Sequence, residues 1–152
     1  DRYYSETFLM QNRPLLRGRL LEVGEPAQAV RGASQVTAVD SMTLADFEGS
    51  ASNQESQAVA YDTIVLSHAA AIGPDSQQGG SQRLYSRFTH SSVAELIRQS
   101  APDAEFMASS WGNLAMAKAF MDGIPAQDVP EQVRGVRDPD YDLVVTAVIR
   151  KP

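Results

Sequence analysis

The sequence predicts an α/β fold, a Rossmann-like and mostly parallel sheet with helices on both faces. Three observations carry this. The run Arg19-Leu20-Leu21-Glu22-Val23-Gly24 is an apolar strand that closes on an acid and a glycine. A second apolar run, Gln35-Val36-Thr37-Ala38-Val39-Asp40, again stops at an acid. The third, Tyr61-Asp62-Thr63-Ile64-Val65-Leu66, joins β-branched and apolar residues without alternation, as a central strand buried on both faces does. With 152 residues, 43% of them hydrophobic, the chain suits a single domain spanning 1–152.

Taken in order, Tyr3 to Leu16 carries Tyr4, Phe8, Leu9, Leu15 and Leu16 in a pattern that suits an amphipathic helix, ended or kinked by Pro14. Strand one is Arg19 to Val23. Pro26 to Gly32 is a weak helical segment, and Ser34 to Val39 is strand two. Ala45-Asp46-Phe47 follows, and the polar stretch from Gly49 to Gln57 reads as a loop. Tyr61 to Leu66 is the central parallel strand. Gly73 to Gln82, with Pro74, Gly79 and Gly80, reads as a linker too short for a full crossover helix.

The second half begins at Tyr85. Ser91 or Ser92 can cap a helix that runs to about Ser100, with Pro102 just beyond it. Glu105 to Ser109 is a short strand. Leu114, Ala117 and Met121 share a helical face in Asn113 to Met121, and Gly123 and Pro125 are the stop signals. The last strand is Tyr141 to Ile149, entered through the turn Asp138-Pro139-Asp140.

Composition narrows the function. A formal net charge of −6, with 13 Lys and Arg scattered along the chain, argues against a nucleic-acid binder, whose phosphate contacts need clustered cations. The absence of cysteine excludes disulfides, thiolate zinc sites and cysteine nucleophiles, and it fits a reducing compartment. Two histidines, His68 and His90, leave little for a metal cluster. No run reaches the roughly 20 apolar residues of a membrane span, and no signal pattern opens the chain, so it reads as cytoplasmic with no membrane partner.

Two acids at the carboxyl ends of adjacent strands can meet the cationic end of a nucleoside cofactor and its ribose hydroxyls. After Gly24 the sequence runs Glu25-Pro26-Ala27-Gln28-Ala29, without the further glycines of a phosphate-cradling turn. A dinucleotide is therefore disfavoured.

The ordered set Asp1-Arg2-Tyr3-Tyr4 with Phe8-Leu9, Arg17 to Gly24, Val36-Thr37 through Asp40, Ala45-Asp46-Phe47, Tyr61 to Leu66, Arg87-Phe88-Thr89, Trp111-Gly112-Asn113 and Asp138 to Tyr141 leading to Lys151-Pro152 resembles class I S-adenosylmethionine-dependent methyltransferases. Within them it is similar to a branch found beside genes for glycan or capsule synthesis. The resemblance implies that Glu22 and Gly24 line the methionine end of S-adenosylmethionine and that Asp40 accepts the ribose hydroxyls. Asp46 and Phe47 would flank the adenine. The implied reaction passes a methyl group to an oxygen or nitrogen of a small-molecule or saccharide acceptor.

The chain departs from that family in its middle. Six strand–helix units of about 30 residues exceed its length, and Gly73 to Gln82 stands where the family has a further helix, turn and strand. One strand–helix unit is therefore expected to be missing, which leaves a catalytically degenerate binding or assembly module as the alternative function. A homodimer is one way to cover the sheet edge so exposed.

His68 is expected just past the strand Tyr61 to Leu66, where an imidazole can take a proton from an attacking hydroxyl or simply bond to loop backbone. His90 reads as structural. Trp111 is either the floor of an acceptor pocket or a core residue. Tyr3 and Tyr4 either close over the cofactor or pack on the sheet.

Overall fold

The structure is a computed structural model that describes residues 2–24, 28–43, 60–70 and 88–152, with only the backbone described at 28, 29 and 68–70. The expected loops and linkers at 25–27, 45–57 and 73–82, and with them Asp46 and Phe47, lie outside the described residues.

Helix α1 spans Arg2–Gln11 and buries Tyr4, Phe8 and Leu9, the side chains one turn apart that the periodicity marks. It ends where the Asn12 side-chain amide donates to the Phe8 carbonyl and Pro14, lacking an N–H, enters a 3-10 turn at Arg13–Leu15. Strand β1 is Gly18–Val23, α2 is the single turn Gln28–Arg31, and β2 is Val36–Met42. Strand β3 is Thr63–Ala70.

Helix α3 spans His90–Ser100 and is capped by Thr89, whose hydroxyl accepts from the Ser92 backbone while the Ser92 hydroxyl bonds back to the Thr89 backbone. The cap thus falls before Ser91, with Ser92 as its reciprocal partner. Strand β4 is Glu105–Trp111, α4 is Leu114–Met121, α5 is Glu131–Arg134 and β5 is Val144–Arg150. A 3-10 turn at Ala126–Asp128 precedes α5.

These five strands form one sheet in the order β2-β1-β3-β5-β4. Strand β1 pairs in parallel with β2 and β3, whereas β5 runs antiparallel to both β3 and β4. Four of the five strands therefore run in one direction, as a mostly parallel sheet requires, and β5 alone is reversed. The chain between β4 and β5 explains why, because it returns to the strand end it left. The Leu143 N–H donates to the Trp111 carbonyl at 2.8 Å, and the Asp138 N–H donates to the Gly112 carbonyl at 2.9 Å. A strand that starts at that corner can only run back down.

Helices cover both faces. Tyr4, Phe8, Leu9, Val30 and Met116 from α1, α2 and α4 meet Leu20, Val65, Val144, Val148 and Trp111 on one face. On the other, Val93 and Ile97 of α3 meet Val145 and Ala147. Each large apolar side chain buried this way contributes about 1.5–3 kcal/mol. The molecule is thus a mixed α/β fold with a central sheet flanked by helices.

Candidate functional site

The strand order sends the chain from β1 to one side, to β2, and from β3 to the other, to β4. The carboxyl ends of the two strands at such a reversal are the usual ligand position in open α/β sheets. There Glu22 and Val23 of β1, followed by Gly24, lie opposite Val65 and Leu66 of β3. Ser67 ties the strands together there, its hydroxyl donating to the Val23 carbonyl at 3.2 Å.

Glu22 is only 2% exposed. Alternation along β1 puts it on the same face as Leu20, beneath the helix layer that includes α1. Gly24 has φ +113° and donates its N–H to the Met42 carbonyl at 2.9 Å, so the turn out of β1 requires a residue without a Cβ.

Asp40 is elsewhere. The register sets Leu21 opposite Asp40 and Glu22 opposite Ser41, so the two acids project from opposite faces of the sheet. This corrects the expectation that they converge on one nucleoside. Asp40 is instead bound to Arg19, whose Nη2 and Nε donate to its Oδ2 at 2.8 and 3.1 Å. The Arg19 guanidinium in turn lies 4.9 Å from the centre of the Tyr61 ring. Hydrogen bonds from Arg19 and then from the Tyr61 hydroxyl hold the Asp40 carboxyl below its usual range. The same cluster raises Tyr61, through burial first and its bond to Asp40 second.

His68 is a residue of β3 rather than of a loop beyond it, because Ser67, His68, Ala69 and Ala70 continue the strand. The pairing with β5 is irregular between Leu66 and Ala69, as an extra residue in the strand makes it. His90 opens α3, where its backbone N–H donates to Asp142 Oδ2 at 3.0 Å and its Nε2 lies 3.3 Å from the Ala108 carbonyl.

Trp111 resolves to the core. It is 5% exposed, its Nε1 donates to Thr146 Oγ1 at 2.9 Å, and Phe8 and Tyr4 pack on it. Tyr4 likewise packs on the sheet and donates to the Arg134 carbonyl at 3.0 Å. Burial, reinforced by Tyr3 and opposed by Arg134, pushes the Tyr4 hydroxyl up to about 12.

The sequence reading missed the segment that closes over this corner. Asn113, 8% exposed, accepts from the Met116 N–H as the α4 cap and donates both amide hydrogens, to Val133 at 2.8 Å and Val136 at 2.9 Å. An asparagine immediately before a helical pattern was the available signal, but it announces only the cap.

Elsewhere, a groove of about 170 Å³ lies between Leu15 and the start of β4, lined by Phe106, Met107 and Val148 and by the paired Glu105 and Arg150. Among the described residues, no three His, Asp or Glu side chains gather as a metal site, and no helix is long and apolar enough to cross a membrane. No protein-family model matches the chain, and no curated protein or solved structure matches it either.

Proposed function

We propose that this protein is a methyltransferase-like, S-adenosylmethionine-binding protein that transfers a methyl group to an oxygen or nitrogen of a small-molecule or saccharide acceptor. The observation that supports it is the reversal of strand order between β1 and β3, with the buried Glu22 near the carboxyl end of β1 and Gly24 turning out of that strand at positive φ. The residues fit the methionine end of the cofactor, because a carboxylate favours both an ammonium and a sulfonium, and a glycine allows close approach of the ligand. Bound there, the cofactor supplies an electrophilic methyl group. The protein's part is alignment and exclusion of water, with His68 on β3 assigned to accept the acceptor's proton. Asp46 and Phe47 are assigned to the adenine.

The ribose end fits less well. Asp40 is held on the other face by Arg19 and Tyr61. That engagement favours a second reading, a binding or assembly module on a degenerate scaffold. Calorimetry with S-adenosylmethionine and S-adenosylhomocysteine separates the two. Micromolar binding that is lost in Glu22→Gln supports the first reading, and absence of binding at millimolar cofactor overturns it. Asp40→Ala then reports on the ribose. A weakened affinity means the Arg19 pair opens on binding, and an unchanged one means Asp40 is structural.

A further inference from the structure

The backbone from Val133 to Asp138 is fixed to the body of the protein by four hydrogen bonds. Tyr4 donates to the Arg134 carbonyl, Asn113 donates to those of Val133 and Val136, and the Asp138 N–H donates to Gly112. Within this segment the two guanidinium groups are laid on aromatic rings, Arg134 at 4.7 Å from the Tyr3 ring centre and Arg137 at 3.7 Å from that of Trp111. Trp111 cannot rotate away, because Nε1 is bonded to Thr146 and Tyr4 and Phe8 pack on it.

Arg137 itself is exposed at the strand end where β4 stops. Among the described residues its guanidinium has no hydrogen-bond or ion-pair partner. Its neighbour Arg134, by contrast, reaches the Gln127 carbonyl and is partly buried. A stacked guanidinium keeps its N–H donors in a fixed plane, and that plane matches an oxyanion that accepts two parallel bonds.

We infer that Arg137, held flat on Trp111, is the anchoring site for a carboxylate-bearing small molecule. The planar fork selects the shape of the anion. A carboxylate presents two oxygens in one plane to two parallel N–H donors, whereas the oxygens of a phosphate are tetrahedral, which sets a carboxylate ahead of a phosphate.

Resting on the methyltransferase-like reading, the inference narrows the acceptor to an acidic one, such as a uronic acid unit. From β1 to β4 the rim crosses three strand spacings, roughly 14 Å. The acid group would then anchor one end of the acceptor while its reacting end lies at the carboxyl ends of β1 and β3. Arg137 is a positioning group in this arrangement, remote from the transferred methyl.

Trp111 is the sole tryptophan, so its fluorescence reports the site without any cofactor. Titration of the full chain with glucuronate is expected to change that emission saturably and to shift the indole N–H resonance. Glucose, the uncharged counterpart, is expected to do neither, and inorganic phosphate to bind more weakly. Arg137→Lys keeps the charge but loses the planar pair of donors, and is expected to weaken glucuronate by about tenfold. Arg137→Gln should abolish the response while far-UV circular dichroism stays unchanged. Absence of a saturable change in both signals, an equal response to glucose, tighter binding of phosphate, or full binding by Arg137→Lys each overturns the assignment. Because no S-adenosylmethionine is present, failure here is distinct from failure of the cofactor calorimetry.

Discussion

Replacing Asn113 with alanine tests whether one buried amide holds the corner of the sheet together. The substitution removes the α4 cap, which is typically worth about 1 kcal/mol, and both donors to Val133 and Val136, each worth about 0.5–1.5 kcal/mol. The expected loss is roughly 2–4 kcal/mol. At 2–4 °C per kcal/mol for a chain near this size, the melting temperature should fall by about 4–16 °C. Urea denaturation supplies the free energy, and two further variants apportion it. Asn113→Ser retains the cap and loses the donors, so it should recover about 1 kcal/mol. Asn113→Asp also retains the cap but sets a carboxylate against two carbonyl oxygens, and should be no more stable than alanine. A loss below about 1 kcal/mol in Asn113→Ala would refute the reasoning. So would Asn113→Asp matching the parent.

Three more outcomes follow from the geometry. Gly112→Ala combines φ +110° with a Cβ placed 2.6 Å from that of Leu143, so it should cost at least about 2 kcal/mol by urea denaturation, and a neutral result would contradict the turn. Asp40 has a lowered carboxyl, so the stabilisation from its bonds to Arg19 and Tyr61 is present above the ordinary carboxylate range and disappears as pH falls through the depressed value. Carboxyl NMR titration should place Asp40 below 3.8, and Arg19→Ala should return it toward that value. Tyr4 is raised, so its contribution is complete below pH 10 and is lost as pH rises toward about 12. Spectrophotometric titration should show one phenol ionising last, and Tyr4→Phe should remove it.

Much of this architecture is legible in local residue order. Leu20 to Val23, Thr63 to Leu66 and Val144 to Ile149 announce strands because they are short apolar or β-branched runs set between turn signals, and Gly24 announces its own turn. What escapes is whatever depends on partners distant in sequence. The direction of β5 follows from where the Asp138-to-Leu143 segment docks, and no residue of β5 encodes that. The face of Asp40 depends on the register between β1 and β2, which shifts at Gly18 and Arg19, and a slip of one residue exchanges the two faces. Its bond to Arg19 follows from that register and is invisible without it. His68 was misjudged because Ser67, Ala69 and Ala70 carry weak strand propensity, while pairing with β5 supplies what the side chains lack. The two uses of Asn113 beyond its cap were hidden for the same reason.

The excursion between β4 and β5 departs from and rejoins the sheet at one corner, closed by the bond between Trp111 and Leu143. Within it, Gly123, just past the end of α4, has open space where a side chain would stand. Foreign sequence spliced in at Gly123 would therefore hang from a closed neck and leave every strand pairing as it is, which makes this position the natural port for fusing a reporter or another domain without refolding the host.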